Sequence, residues 1–107
     1  MDKMICRAAL LGLVAGMSTA SIAATAISQK DKAFSQDSVA IKAGDKLRFV
    51  NDDSVTHDIS VKSPGGVSRP GVVEKPGDDM ELAFDDVGTY QVRCLIHPKM
   101  KMTVNAM

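Results

Sequence analysis

Polar and apolar residues take turns along most of this chain. Leu47, Phe49 and Asn51 alternate with Lys46, Arg48 and Val50. A period of two belongs to a strand with one buried face. Asn51-Asp52-Asp53-Ser54 breaks the pattern, and His57, Ile59 and Val61 resume it. Met80, Leu82 and Phe84 alternate with Glu81 and Ala83. Tyr90, Val92 and Cys94 share one face, and Met102, Val104 and Ala106 share another. Val39-Ala40-Ile41 and Val72-Val73 read as shorter strands. Between them lie turn formers: Ala43-Gly44-Asp45, the stretch from Ser63 to Gly71, Lys75-Pro76-Gly77-Asp78, and Asp85-Asp86-Val87-Gly88. Past residue 26 no segment holds a period of 3.6. Short strands separated by turns predict an all-β domain, a small antiparallel sandwich or barrel whose strands begin at Val39.

The start of the chain follows another rule. Lys3 and Arg7 precede an unbroken apolar or small run from Ala8 to Gly16, and Ser, Thr and Ala follow. That is the order of a secretory signal. Small-x-small sites end at Ala23 and at Ala26. The predicted organisation is therefore a signal peptide over 1–26, cleaved after Ala23 or Ala26, and one domain over 27–107. The apolar run is shorter than the roughly 20 residues a membrane span requires, so no stable membrane association is expected.

Charge and cysteine use narrow the function. The 13 basic and 13 acidic residues cancel, which argues against nucleic acid as a partner. Removal of the signal takes Cys6 with it and leaves Cys94 alone. A lone thiol outside the cytoplasm calls for an explanation. The plain one is a small buried hydrophobe. Yet the chain has two histidines in all, and His97 stands three residues after Cys94.

The stretch Cys94-Leu95-Ile96-His97-Pro98-Lys99-Met100 holds a thiolate, an imidazole and a thioether. His57 supplies a second imidazole. Two nitrogens, one thiolate and a weak axial thioether form the trigonal copper site used for single-electron transfer. His57 begins one predicted strand and Cys94 ends another, so neighbouring strands would gather the donors at one end of the sandwich. The pairs Asp52-Asp53, Asp78-Asp79 and Asp85-Asp86 flank turns and read as solvated. None carries a spacing for acid–base catalysis. With no nucleophile elbow and no phosphate loop, no enzyme is expected.

On these residues the chain resembles the cupredoxins, the type 1 blue copper family. Val39-x-Ile41-x-x-Gly44-Asp45-x-Leu47-x-Phe49-x-Asn51 is similar to two of the family's strands, and His57 follows at the expected interval. Gly88-Thr89-Tyr90-x-x-x-Cys94 is similar to the strand that enters the copper loop. Cys94-x-x-His97-Pro98-x-Met100 is most like the short loop of the amicyanin branch, within the plastocyanin and pseudoazurin family. The match covers Val39 to Ala106. It implies a Greek-key β-sandwich (cupredoxin-like) with one type 1 copper ion at one end. Its ligands would be His57, Cys94, His97 and Met100. His97 would be the solvent-edge imidazole, rimmed by Leu95, Ile96 and Pro98. The implied role is a periplasmic, monomeric electron carrier. Its redox partner proteins would be a periplasmic dehydrogenase as donor and a c-type cytochrome as acceptor.

Three departures from the family pattern carry expectations of their own. The segment before the first matched strand is short, which would leave one sheet edge less covered. Asp58 stands where the family has an asparagine that pins the copper loop, and an ionised carboxylate cannot donate. Ile96 stands where related loops have proline, so its N–H is a candidate donor to the Cys94 sulfur. Two methionines compete for the axial place. In the family, core residues of the last strand fall four and six places after the axial methionine. From Met100 these are Val104 and Ala106, which makes Met102 a core residue. One rival function stays open, copper delivery or sequestration. Such proteins favour exposed methionine and histidine clusters, which this chain lacks outside its loop.

Overall fold

A computed structural model describes residues 24–107. The predicted signal over 1–26 lies outside the described residues as far as residue 23, and so does Cys6. Every regular element described is a strand. They are β1 (Thr25–Lys30), β2 (Ala33–Phe34), β3 (Ser38–Ile41), β4 (Lys46–Asn51), β5 (His57–Lys62), β6 (Val72–Glu74), β7 (Asp79–Ala83), β8 (Gly88–Cys94) and β9 (Lys101–Ala106). They make two layers. One sheet runs β2-β1-β4-β7 and the other β3-β9-β8-β5-β6.

Alternation decides what lies between the layers. Leu47, Phe49 and Asn51 on β4 are fully buried, and so are His57, Ile59 and Val61 on β5 to within one per cent. Tyr90, Val92 and Cys94 do the same on β8, with Met102, Val104 and Ala106 on β9. Each side chain of Leu or Phe size buried this way is worth about 1.5–3 kcal/mol. Phe84 meets Tyr90 edge-on at 4.9 Å, and Phe34 meets Phe49 at 6.3 Å. Arg69 closes the core at the loop before β6. Its guanidinium lies over both the Phe84 and Tyr90 rings and donates to the Ala83 carbonyl at 2.7 Å.

The sandwich is the expected one, with two differences. Most pairings are antiparallel, but β1 runs parallel to β4, and β3 runs parallel to β9. The second difference is at the start. Strands begin at Thr25, well before Val39. Ile27, Gln29 and Phe34 face the core, and β1 and β2 cover the sheet edge beyond β4 that was expected to be less covered. This hairpin gives little signal. Its two-residue turn holds Asp31 and Lys32 at φ 53° and 57°, the conformation that Asn-Gly usually announces.

Candidate metal centre

The β5–β8 ladder builds the site. Ile59 lies opposite Cys94, so the first residue of β5 reaches the end of the sandwich where β8 stops. His57 Nδ1, Cys94 Sγ and His97 Nδ1 converge there. The nitrogens are 3.1 Å apart, and each is 3.6 Å from the sulfur. His57 and Cys94 are buried, and His97 is half-buried. A metal ion sits about 2.0–2.3 Å from such donors, and a triangle of this size fits one. Among the described residues this is the one cluster of three or more His, Cys, Asp or Glu side chains arranged for a metal.

The short loop is locked by its own backbone. Cys94 N–H donates to the Met100 carbonyl at 3.2 Å, and Met100 N–H donates to the His97 carbonyl at 2.9 Å. Met100 is buried just before β9 begins. Met102 lies inside the β9 ladder, opposite Val92, and is buried as deeply as Met100. Two hydrogen bonds of the Asp58 backbone tie the loop and the sulfur to β5. Leu95 N–H donates to the Asp58 carbonyl at 2.8 Å, and Asp58 N–H points at Cys94 Sγ at 3.4 Å. The donor at the sulfur is thus Asp58 rather than Ile96. The strand register sets it there, and among the described residues Ile96 N–H makes no hydrogen bond to the sulfur. The Asp58 side chain makes no bond to the loop, and its buried Oδ1 has no partner among the described residues.

Asp53 was expected to be solvated, and it is not. Its side chain is 8% exposed and accepts from His57 Nε2 at 3.0 Å. Lys32 N–H and Ser54 N–H also donate to it, at 2.8 Å each. The Lys32 N–H does most to hold the Asp53 carboxyl down, at about 2. Burial opposes that, and His57 and then Ser54 add to the lowering. An ionised Asp53 requires a proton on His57 Nε2. The Nδ1 lone pair is then free to face the sulfur and His97. Carboxylates behind metal-bound histidines set tautomer and ring orientation in this way.

Asn51 holds that carboxylate in place. Its Oδ1 accepts from Asp53 N–H at 2.9 Å, and its Nδ2 donates to the carbonyls of Val55 and Glu74, at 2.9 and 2.8 Å. The support therefore passes from the β1–β2 turn through Lys32 and Asp53 to His57. In the sequence, the one sign of it is an aspartate four places before a histidine, a weak pattern. Glu74 and Gln29 are the other buried polar pair. Gln29 Nε2 donates to Glu74 Oε1 at 2.5 Å, while Gln29 Oε1 and Glu74 Oε2 have no partner among the described residues. Burial pushes the Glu74 carboxyl up to about 7; the Gln29 bond opposes the rise, and Asp78 and Asp79 add to it.

Two layers of strands with a His-Cys-His triangle at one end define a cupredoxin with a type 1 copper site. The sequence profile described as copper binding proteins, plastocyanin/azurin family, matches residues 21–106, and the chain belongs to that family. The match reaches further toward the start than Val39, in keeping with β1 and β2. Solved structures agree on the fold. Amicyanin from Paracoccus versutus superposes with a TM-score of 0.73 at 21% identity, covering 84% of this chain and 87% of that one. A mutant of amicyanin in its reduced state gives 0.72 at 23%, covering 82% and 88%. A purple cupredoxin from Nitrosopumilus maritimus gives 0.67 at 23%, covering 78% and 99%. None of the curated proteins compared matches this chain.

Proposed function

We propose that this protein is a periplasmic electron carrier and not an enzyme. The observation that carries this reading is the triangle of His57 Nδ1, Cys94 Sγ and His97 Nδ1, whose edges are 3.1 to 3.6 Å. Bound copper would supply a one-electron couple, cupric to cuprous. The protein's part is to keep the donors still while the charge changes. Cys94 is the thiolate, with Asp58 N–H aimed at it. His57 is fixed by Asp53. Met100 is the axial thioether, supported by its burial and by its two backbone bonds within the loop. His97 is the half-open edge, beside Leu95 and Ile96, which are 53% and 50% exposed. Such an apolar rim suits the small, brief interfaces of redox encounters. A dehydrogenase as donor and a c-type cytochrome as acceptor fit this role.

Export through the first residues belongs to the same reading. Cleavage after Ala23 leaves β1 whole. Cleavage after Ala26 removes the pairings of Thr25 with Leu47 and of Ala26 with Arg48, so the first site is the better one. Delivery of copper to another protein would require the ion to leave. Burial of His57, Cys94 and Met100 argues against easy release.

The test is the visible spectrum of the copper(II) protein. Intense charge-transfer absorption from the Cys94 thiolate is expected, and Cys94→Ser should abolish it. A colourless copper(II) complex of the folded protein would refute the type 1 assignment. Slow electron self-exchange with ready loss of copper to a chelator would favour delivery.

A further inference from the structure

The two sheets treat charge differently on their outer faces. On the four-stranded sheet Arg48 lies opposite Glu81 and forms an ion pair with Asp79 at 2.5 Å. On the five-stranded sheet Arg93 lies directly opposite Lys101. Both are exposed, and among the described residues neither pairs with a carboxylate. Like charges placed directly across a ladder destabilise it. These two also flank the metal ligands, one just before Cys94 and one just after Met100. Lys99, in the loop two places before Lys101, is exposed as well. Lys99 and Lys32 line the same hollow of about 330 Å³ as Ile96, His97 and Pro98. The alternation of β5 brings one acidic residue toward this face, Asp58, and Asp37 lies beside it only at the edge. Asp58 is half-buried, and Asp37 stands just before β3.

A chain without net charge thus keeps Arg93, Lys99 and Lys101 within four places of its half-open histidine, with Arg93 set against Lys101 across the ladder, at some cost to the sheet. We propose that Arg93, Lys99 and Lys101 form the docking strip for a redox protein with an acidic face. The inference rests on the electron-carrier reading and adds the sign and place of the partner's charge. Complementary charge steers encounter and sets orientation more than it adds affinity. The strip turns the partner toward the five-stranded sheet, and the apolar rim at Leu95 and Ile96 makes the close contact. A second copy of this chain does not fit, because a two-fold interface sets a patch against itself and the cations would repel.

The experiment uses hexacyanochromate(III), a paramagnetic trianion, added to the 15N-labelled reduced copper protein. Amide signals of Arg93, Lys99, Lys101 and Thr103 should broaden first. Arg93→Gln with Lys101→Gln should remove that broadening, and Lys42→Gln with Lys46→Gln should not. These side chains are exposed, so the fold should persist; Arg93→Glu is a second variant that offers Lys101 a partner. In a parallel arm, oxidation by hexacyanoferrate(III) should slow several-fold as salt is raised, with a flatter dependence in the Arg93→Gln/Lys101→Gln variant. Even broadening over the surface, or broadening centred on Lys42 to Lys46, would overturn the strip. So would a salt dependence unchanged in that variant. Sedimentation with phosphatidylglycerol vesicles at physiological salt would overturn the protein partner in favour of a membrane surface. Broadening at the strip with no electron passed to hexacyanoferrate(III) would instead overturn the electron-carrier reading, and the redox partner with it.

Discussion

His57 and His97 offer the same donor atom to the same point, yet they are held in opposite ways. His57 starts a central strand, and its ring is wholly enclosed. Its second nitrogen is tied to Asp53, which Asn51 and the Lys32 N–H hold in turn. His97 rides a loop closed by two backbone bonds, is half-buried, and has no partner for Nε2 among the described residues. One imidazole is part of the sandwich. The other is an accessory to it, placed where a partner can approach. The site is therefore rigid on the inside and open on one edge.

The sharpest way to break this comparison is to remove each ring. His57→Ala should leave the Asp53 carboxylate without its ring donor and open a cavity in the sandwich. The metal-free protein should lose about 2–4 kcal/mol of stability, read by urea unfolding. His97→Ala should leave that stability within about 0.5 kcal/mol of the parent. It should still abolish normal copper binding, and added imidazole should restore the blue colour. Equal losses from the two variants would mean that the loop is as much a part of the fold as β5.

Asp53→Asn tests the tie behind His57. The neutral amide can present either end to the ring, so the tautomer is no longer fixed. Copper affinity should fall about 10–100-fold, measured by competition with a chelator, while His97 is undisturbed. A smaller effect is expected at the axial place. Met100→Leu should raise the reduction potential, because losing a thioether donor destabilises the cupric state more. Met102→Leu should cost less than about 1.5 kcal/mol and leave the spectrum alone. Reversed outcomes would make Met102 the ligand.

Glu74 gives the mildest test, and its signature is a pH dependence. It pairs with His57 across the β5–β6 ladder. Its carboxyl sits above the ordinary value of 4.5, at about 7 in the folded protein. The folded state thus binds the proton more tightly than the unfolded chain does. Its contribution to stability is whole below about 4.5 and is lost as pH rises through about 7. Denaturation midpoints should fall across that window. Glu74→Gln should flatten the profile and be the more stable form at pH 8. A parallel profile in the variant would show that the proton resides elsewhere.

Much of this was legible from residues alone. Period-two alternation named β4, β5, β7, β8 and β9, because a side chain facing inward every second place leaves a mark that needs no partner to read. The triangle of His57, Cys94 and His97 was legible because the chain has only two imidazoles, and one of them stands three places after the thiol. Three things waited for the tertiary structure. The β1–β2 hairpin turns on Asp31 and Lys32, whose left-handed backbone is held by contacts distant in sequence. Asp53 looked like any turn aspartate, since its burial depends on Lys32 and Asn51 folding over it. The sulfur's donor is Asp58 because the β5–β8 register, not the sequence of the loop, decides which N–H faces Cys94. Local chemistry chose the ligands. Pairing between distant segments chose what supports them, because a hydrogen bond made across a sheet leaves no periodic trace along the chain.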